Sequence, residues 1–320
     1  MVKYEVSSIV IIAVLLVLVV VGVTGNTLVC LIIKGNRQMR TPINYLLMNL
    51  AVSDILFATF ITPKLIVSLT LSHPEGVKGS ILCKLVTGGN FAWIPGVSSV
   101  ATLVTIAFER YYTVVYPLDP NRKMTKCKLK VILLCSWIFS VIFNLPLFLA
   151  RTFKKEDGKN HCVLSWPEKW MSTSSCIAWL FLTVAAVGIM ITLYSQVVYP
   201  LWFKPKSCLP LSCKQQGVIR VRKRTTLMVI TVSVIFAVGW GAESVEYALR
   251  TMSTLDMKFK HIAIVDIMVL FNAAINPFVY ALLSHQYRQK IRGVICCARA
   301  VAPRPRTNTT VESTEIETRF

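Results

Sequence analysis

Charge is what this sequence has little of. Charged residues make up 16% of the 320 positions and hydrophobic residues 54%, whereas a soluble domain carries about 25% charged residues. So uncharged a surface suits lipid better than water. Linkers are also missing. No Gly/Ser/Pro-rich stretch and no break in composition precedes the C-terminal tail, so one domain is expected although the length would allow two. No Cys/His cluster has metal-ligand spacing, and no hydrolase, kinase or metal motif is present, so an enzyme is not expected. The two halves show no similarity to each other, and transporters tend to show internal repeats.

Apolar runs are abundant instead. Seven of them, near 7–33, 43–71, 82–115, 129–149, 172–203, 225–252 and 262–283, reach the roughly 20 residues that a helix needs to cross a hydrocarbon core about 30 Å thick. The expected fold is an all-α membrane protein, a bundle of seven transmembrane helices. The third and fifth runs exceed the hydrocarbon thickness and should project into water. The first run is too long for a signal peptide and no small-residue cleavage site follows it, so it is read as a mature helix. Residues 1–6 form a short segment before it, too short to be a binding domain.

Acids are few, 15 against 35 basic residues, for a net charge of +20. The bases fall in alternate loops: Lys34, Arg37 and Arg40; then Arg122, Lys123, Lys126, Lys128 and Lys130; then Lys204 through Arg224. That is the positive-inside pattern. It puts the N-terminus outside and the C-terminus inside, and it argues against a nucleic-acid surface. Cys30, Cys127, Cys135 and Cys176 lie in or beside spans, where a cysteine acts as a small hydrophobe. Cys83 and Cys162 both fall on the outer, oxidising side, where a disulfide between them is plausible.

Ionisable residues inside a bilayer are costly and point to function. Asp54 lies mid-span with no base on its own helix, so its polar partners must come from Asn26, Ser99, Asn272 or Asn276. Such a carboxylate is either a sodium site or a protonated member of a structural network. Glu109-Arg110-Tyr111 ends the third span, where Arg110 either snorkels to headgroups or acts. Asn276-Pro277 places a proline inside the seventh span, where it removes a backbone hydrogen bond and makes a kink, with or without a role in switching.

Taken in order, these residues resemble the rhodopsin-like (class A) G protein-coupled receptors. The match comprises Gly25-Asn26, Asn49-Leu50-Ala51 with Asp54, Cys83, Glu109-Arg110-Tyr111 with Pro117-Leu118, Trp137, Pro146, Phe236, Trp240 and Asn276-Pro277-x-x-Tyr280. It covers nearly all of residues 7–297. An amphipathic stretch then runs from His285 to Cys296-Cys297, implying a short eighth helix. The resemblance implies that Arg110, held by Glu109 at rest, opens a site for a heterotrimeric G protein, with Tyr111, Leu118, Tyr194 and Tyr280 sharing in coupling. It implies an activation core of Phe236, Trp240, Asn276 and Pro277, a sodium pocket of Asp54, Ser99, Asn272 and Asn276, a Cys83–Cys162 disulfide and palmitoylation of Cys296 and Cys297. Sodium would be the only cofactor. The expected address is the plasma membrane.

Departures from the family pattern stand out. The usual prolines of the fifth and sixth helices are replaced by Ala186 and by the run Trp240-Gly241-Ala242. Cys83 to Arg110 is longer than usual and holds Gly88-Gly89 and Pro95, which reads as a bulge or kink. The first outer loop is placed at 72–80. No acid stands near the inner end of the sixth helix, so only Glu109 is left to neutralise Arg110.

The ligand class follows from a few positions. The lysine of light receptors is replaced by Leu270, and the acid of amine receptors by Ala92 or Asn90, depending on register. Cys162-x-x-x-Trp166-Pro167 is similar to a pattern of peptide receptors, and residues 151–171 are long enough for a hairpin lid. A peptide ligand is favoured over a lipid or other small molecule, with a seven-helix transporter or channel as the remaining class. At 100° per residue, Glu243 and Tyr247 share the face of Trp240 while Glu246 flanks a neighbouring helix. Asp266 should enter near the top of the seventh helix. Arg250, Lys258 and Lys260 are the bases expected nearby. Either they neutralise these acids, or a basic ligand does. The tail, 298–320, is expected to be disordered, since its stretch 307–318 is polar and acidic with no apolar period. Phosphates placed there by a receptor kinase would suit an arrestin.

Overall fold

A chain surrounded by lipid must satisfy every backbone N–H and C=O internally, which leaves helices as the solution for long apolar runs. The computed structural model describes residues 6–70, 76–156, 159–203, 213–252, 259–284, 286–291 and 293. Seven helices in it are long and apolar enough to cross a membrane. The spans are built on Val6–Gly35, Pro42–Thr70, Gly76–Val115, Lys126–Ala150, Lys169–Val198, Cys213–Met252 and Phe259–Leu283. The first packs on the second and seventh, and the third touches the second, fourth, fifth and sixth. The most apolar stretch of the third span is 67% buried and that of the first 17%. The third is therefore the axis of the bundle, and the first faces lipid.

The third span is composite. Gly76–Leu82 is α-helical, Cys83–Thr87 is a π-turn, and a new α-helix runs from Asn90 to Val115. The break expected between Cys83 and Arg110 is thus real. Its pivot is Gly89, at φ 72°, a left-handed conformation that a Cβ disfavours. A Cβ there would also stand 2.9 Å from Cδ of Lys64. The loop expected at 72–80 is shorter than that, because helix resumes at Gly76. The sixth helix starts at Cys213 rather than near 225. Its added turns are rich in Lys, Gln and Arg, good helix formers that carry no apolar signal.

Pro63, Pro95, Pro146 and Pro277 sit inside helices. The fifth and sixth helices, lacking their usual prolines, continue through Ala186 and through Trp240-Gly241-Ala242. The first and seventh spans meet at Gly25, where a Cβ would lie 2.9 Å from Cγ of Pro277. Beside it Asn26 donates to the carbonyl of Ala273 at 2.9 Å. After the seventh span, residues 286–291 are helical, and buried Tyr287 sets its ring 6.2 Å from that of Tyr280. Cys296, Cys297, the tail and residues 1–5 lie outside the described residues.

The segment after the fourth span is an antiparallel hairpin, Arg151–Glu156 with Lys159–Leu164 (β1 and β2), in which Phe153 faces Cys162. Cys162 is disulfide-bonded to Cys83 of the π-turn, with Cα atoms 5.4 Å apart. The hairpin expected over the helical bundle is present and tied to its axis.

Candidate functional site

The polar residues gather at three levels. At the end of the third span, Nε of Arg110 donates to Oε2 of Glu109 at 2.6 Å, and Glu109 accepts from the Thr113 hydroxyl at 3.1 Å. Both members of the pair are buried. Removing either partner of such a pair strands a charge, which is strongly destabilising. Among the described residues Arg110 has no other ionic partner, consistent with the absence of an acid near the inner end of the sixth helix. A cavity of about 250 Å³ opens here, lined by Arg110, Val221, Thr225, Met228, Tyr280 and Tyr287 among others. The hydroxyl of Tyr280 is buried without a hydrogen-bond partner among the described residues, while that of Tyr194 shares a hydrogen bond with Ser233 at 3.1 Å. Neither bonds Arg110. Leu118 is 92% exposed. The Tyr111 hydroxyl reaches that of Tyr116 at 3.5 Å, which turns it away from Arg110.

Mid-bundle, Asp54 is buried and accepts from Nδ2 of Asn276 at 2.8 Å. Of the four residues expected around a cation, these two meet. Ser99 instead donates to the carbonyl of Pro95 at 3.1 Å. The carbonyl oxygens of Asn272 and Asn276 and the hydroxyl of Ser53 are buried without partners among the described residues. Of these, the Asn276 oxygen stands on the residue that bonds Asp54, and an unsatisfied buried oxygen next to a carboxylate is a donor of the type a hard cation takes. Nearby Asn49 donates to the Thr102 hydroxyl at 2.9 Å and accepts from the Trp137 indole at 3.1 Å. One side chain thereby pins the second, third and fourth spans.

Above this level Trp240 is 2% exposed. Phe236 stacks at 5.7 Å, Phe57 and Trp93 lie at 6.0 Å, and Trp179 is parallel at 6.1 Å. Offset and edge-on geometries of this kind stabilise aromatic clusters beyond their area burial. Trp240 and Phe236 are legible as motif residues. Trp93, Trp179 and Phe57 are not, because an aromatic in an apolar run reads as ordinary core. Gly96 completes the wall: a Cβ there would overlap the Trp240 ring.

At the hairpin end the acids do not all stand as expected. Asp266 is not unpaired. Lys64 of the second span reaches its two oxygens at 3.1 and 3.3 Å and lies 5.8 Å from the Trp93 ring. The expected bases, Arg250, Lys258 and Lys260, therefore miss the principal one. The sequence carries no register between the second and seventh spans, so it could not pair Lys64 with Asp266. Lys258 and Lys260 have no described side chains. Arg250 approaches Glu246 at 3.8 Å, and Glu246 is buried, as its position off the Trp240 face implies. Tyr247 is buried and donates to Ser175 at 3.1 Å. Glu243 is half-buried and makes no hydrogen bond or ion pair among the described residues. Arg151, which opens β1, stands at the same end and donates Nε to Asn90 at 3.2 Å.

Comparison with known proteins agrees with this architecture. The family profile "7 transmembrane receptor (rhodopsin family)" matches residues 25–280. The chain is 26% identical to a QRFP-like peptide receptor of Branchiostoma floridae, over 90% of this chain and 78% of the relative. It is 29% identical to the tachykinin-like peptides receptor 86C of Drosophila melanogaster, over 87% of this chain and 56% of that protein. It is 26% identical to the pyroglutamylated RF-amide peptide receptor of Rattus norvegicus, over 85% of this chain and 66% of the relative. The chain thus spans less than two thirds of the last two. With seven spans, each motif in its own helix and a match over most of the sequence, the chain belongs to the rhodopsin family of seven-transmembrane receptors.

Proposed function

We propose that the protein is a plasma-membrane receptor that binds an extracellular peptide bearing a basic group and activates a heterotrimeric G protein. The observation that carries the ligand reading is Glu243. It is a half-buried carboxylate on the Trp240 face with no partner among the described residues, while Asp266 and Glu246 have cations beside them. The charged form of a carboxyl so placed is costly unless a cation meets it, the alternative being a bound proton. The relatives' names supply the peptide class. The hairpin end faces outside and the Arg110 end the cytoplasm, as the basic loops require. The cavity beside Arg110 receives the G protein. A receptor kinase and an arrestin act on the tail.

The test is a peptide library read out by a promiscuous G protein, followed by arginine-to-citrulline substitution in each active peptide. Citrulline removes the charge and keeps the shape. Glu243→Gln should weaken the arginine form by about tenfold to a hundredfold, the value of a hydrogen bond to a charged group, and leave the citrulline form nearly unchanged. Equal losses for the two forms would remove Glu243 from ligand recognition. Asp266→Asn should behave differently. It leaves Lys64 unpaired, so less receptor should reach the surface, whatever the ligand.

Asp54 and Asn276, with the open oxygen of Asn272, would hold a sodium ion that favours the resting packing. Agonist affinity should then fall several-fold in sodium relative to an organic cation, within the range of about 1–3 kcal/mol typical of coupling between sites. Asp54→Asn should abolish that difference. If the mutant keeps the full sodium response, Asp54 belongs to a structural hydrogen-bond network and not to a cation site.

A further inference from the structure

Two half-buried charges at the hairpin end, Glu243 and Arg151, make no close ion pair among the described residues. The first is accounted for above. The second is a guanidinium whose placement is determined on every side. Arg151 caps the fourth span, its backbone N–H bonded to the carbonyl of Leu147, and the preceding carbonyl accepts from Ser165 at 2.8 Å. Its aliphatic stem lies against the bare backbone of Gly88, where a Cβ would stand 3.2 Å from Cδ and 3.3 Å from Cγ. Nε donates to Asn90 at 3.2 Å, and Asn90, 1% exposed, is itself fixed by donating to the carbonyl of Lys84 at 3.2 Å.

A guanidinium has five N–H donors in a rigid fork. One is used here, and the two terminal nitrogens have no acceptor among the described residues. The acids at this end cannot supply one. Asp266 is taken by Lys64 and Glu246 lies beside Arg250, while Glu243 is beyond ion-pair reach. Burial, with Arg250 as a second cause, lowers the Arg151 guanidinium to about 10, which still leaves it charged at neutral pH. A fixed fork with unused donors matches a carboxylate, which accepts two parallel N–H bonds.

We propose that Arg151 is an anion-accepting position of this site, binding a carboxylate of the ligand while Glu243 binds its cation, so that the receptor selects an amphoteric molecule. The pairing with Glu243 rests on the ligand reading above. The anion position does not.

The full-length receptor in lipid nanodiscs tests it with a small probe, 3-phenylpropionate, set against its uncharged amide at equal millimolar concentration. The acid should raise the Tm of the wild-type protein by about 3 °C, an ordinary shift for modest ligand occupancy, and the amide should not. Arg151→Gln should lose the shift, and Arg151→Lys, a charge without the fork, should keep less than half of it. Equal shifts from acid and amide, no shift at all, or an undiminished shift in Arg151→Gln would each overturn the proposal. If Arg151→Gln does not fold, Arg151→Lys decides, and full retention there overturns it. Because the probe is not a peptide, a library without active peptides would refute the ligand reading and leave this measurement standing.

Discussion

Gly96→Ala should yield far less receptor at the surface, and the fraction that folds should melt well below wild type. Gly96 carries no charge and no motif, and one added methyl group would be tolerated on most faces of a helix. Here it would overlap the Trp240 ring, with two further ring carbons at 2.9 and 3.3 Å. The ring cannot step aside, since Phe57, Trp93, Trp179 and Phe236 enclose it. Overpacking of this kind costs about 1–3 kcal/mol, and Gly96→Val should be worse. Because the obstacle is one side chain, Trp240→Phe should restore much of the stability of Gly96→Ala. A double-mutant cycle on melting temperature measures that coupling. Strict additivity of the two mutations would show that Gly96 is needed for some reason other than Trp240.

Arg110→Ala should bind ligand normally and fail to signal. The expected loss of G protein activation, at least roughly a hundredfold, corresponds to moving a two-state equilibrium by about 3 kcal/mol. Arg110 is buried and paired only with Glu109 among the described residues. It borders the cavity at this end of the bundle together with Tyr280. Its removal leaves Glu109 unpaired, so some loss of stability is expected as well. The double variant Arg110→Ala with Glu109→Gln removes both charges and separates the two effects. It should recover stability and stay silent in nucleotide exchange. Recovery of signalling in the double variant would mean that Arg110 acts only as the counter-ion of Glu109.

The parts legible in the sequence were those with local signatures. Apolar length gave seven spans, and motif residues such as Arg110, Trp240 and Pro277 occupy the expected levels of the bundle. The break in the third span was legible from Gly88-Gly89 and Pro95, because glycine and proline mark backbone geometry directly. What remained hidden depends on register between helices. Lys64 and Asp266 are 202 residues apart, and no periodicity within either helix says that they share a depth. Gly96 was silent for the opposite reason, since its role is the absence of a side chain. Arg151 was silent for the same reason as Lys64, since its partner Asn90 is 61 residues away.

The unbroken sixth helix makes it a mechanical lever. No proline at Trp240-Gly241-Ala242 interrupts the backbone bonds between the half at the hairpin end and the half beside Arg110, and Gly239 and Gly241 leave that level some freedom to bend. From the level of Trp240 to that of Arg220 is about 30 Å of helix at 1.5 Å per residue. A tilt of only about 10° around the Trp240 level therefore sweeps the far end through about 5 Å, one helical turn. In a jointed helix much of a push at the ligand end is absorbed as bending. Where this one moves as a single body, a small shift at the Trp240 level becomes a larger displacement at the cavity beside Arg110.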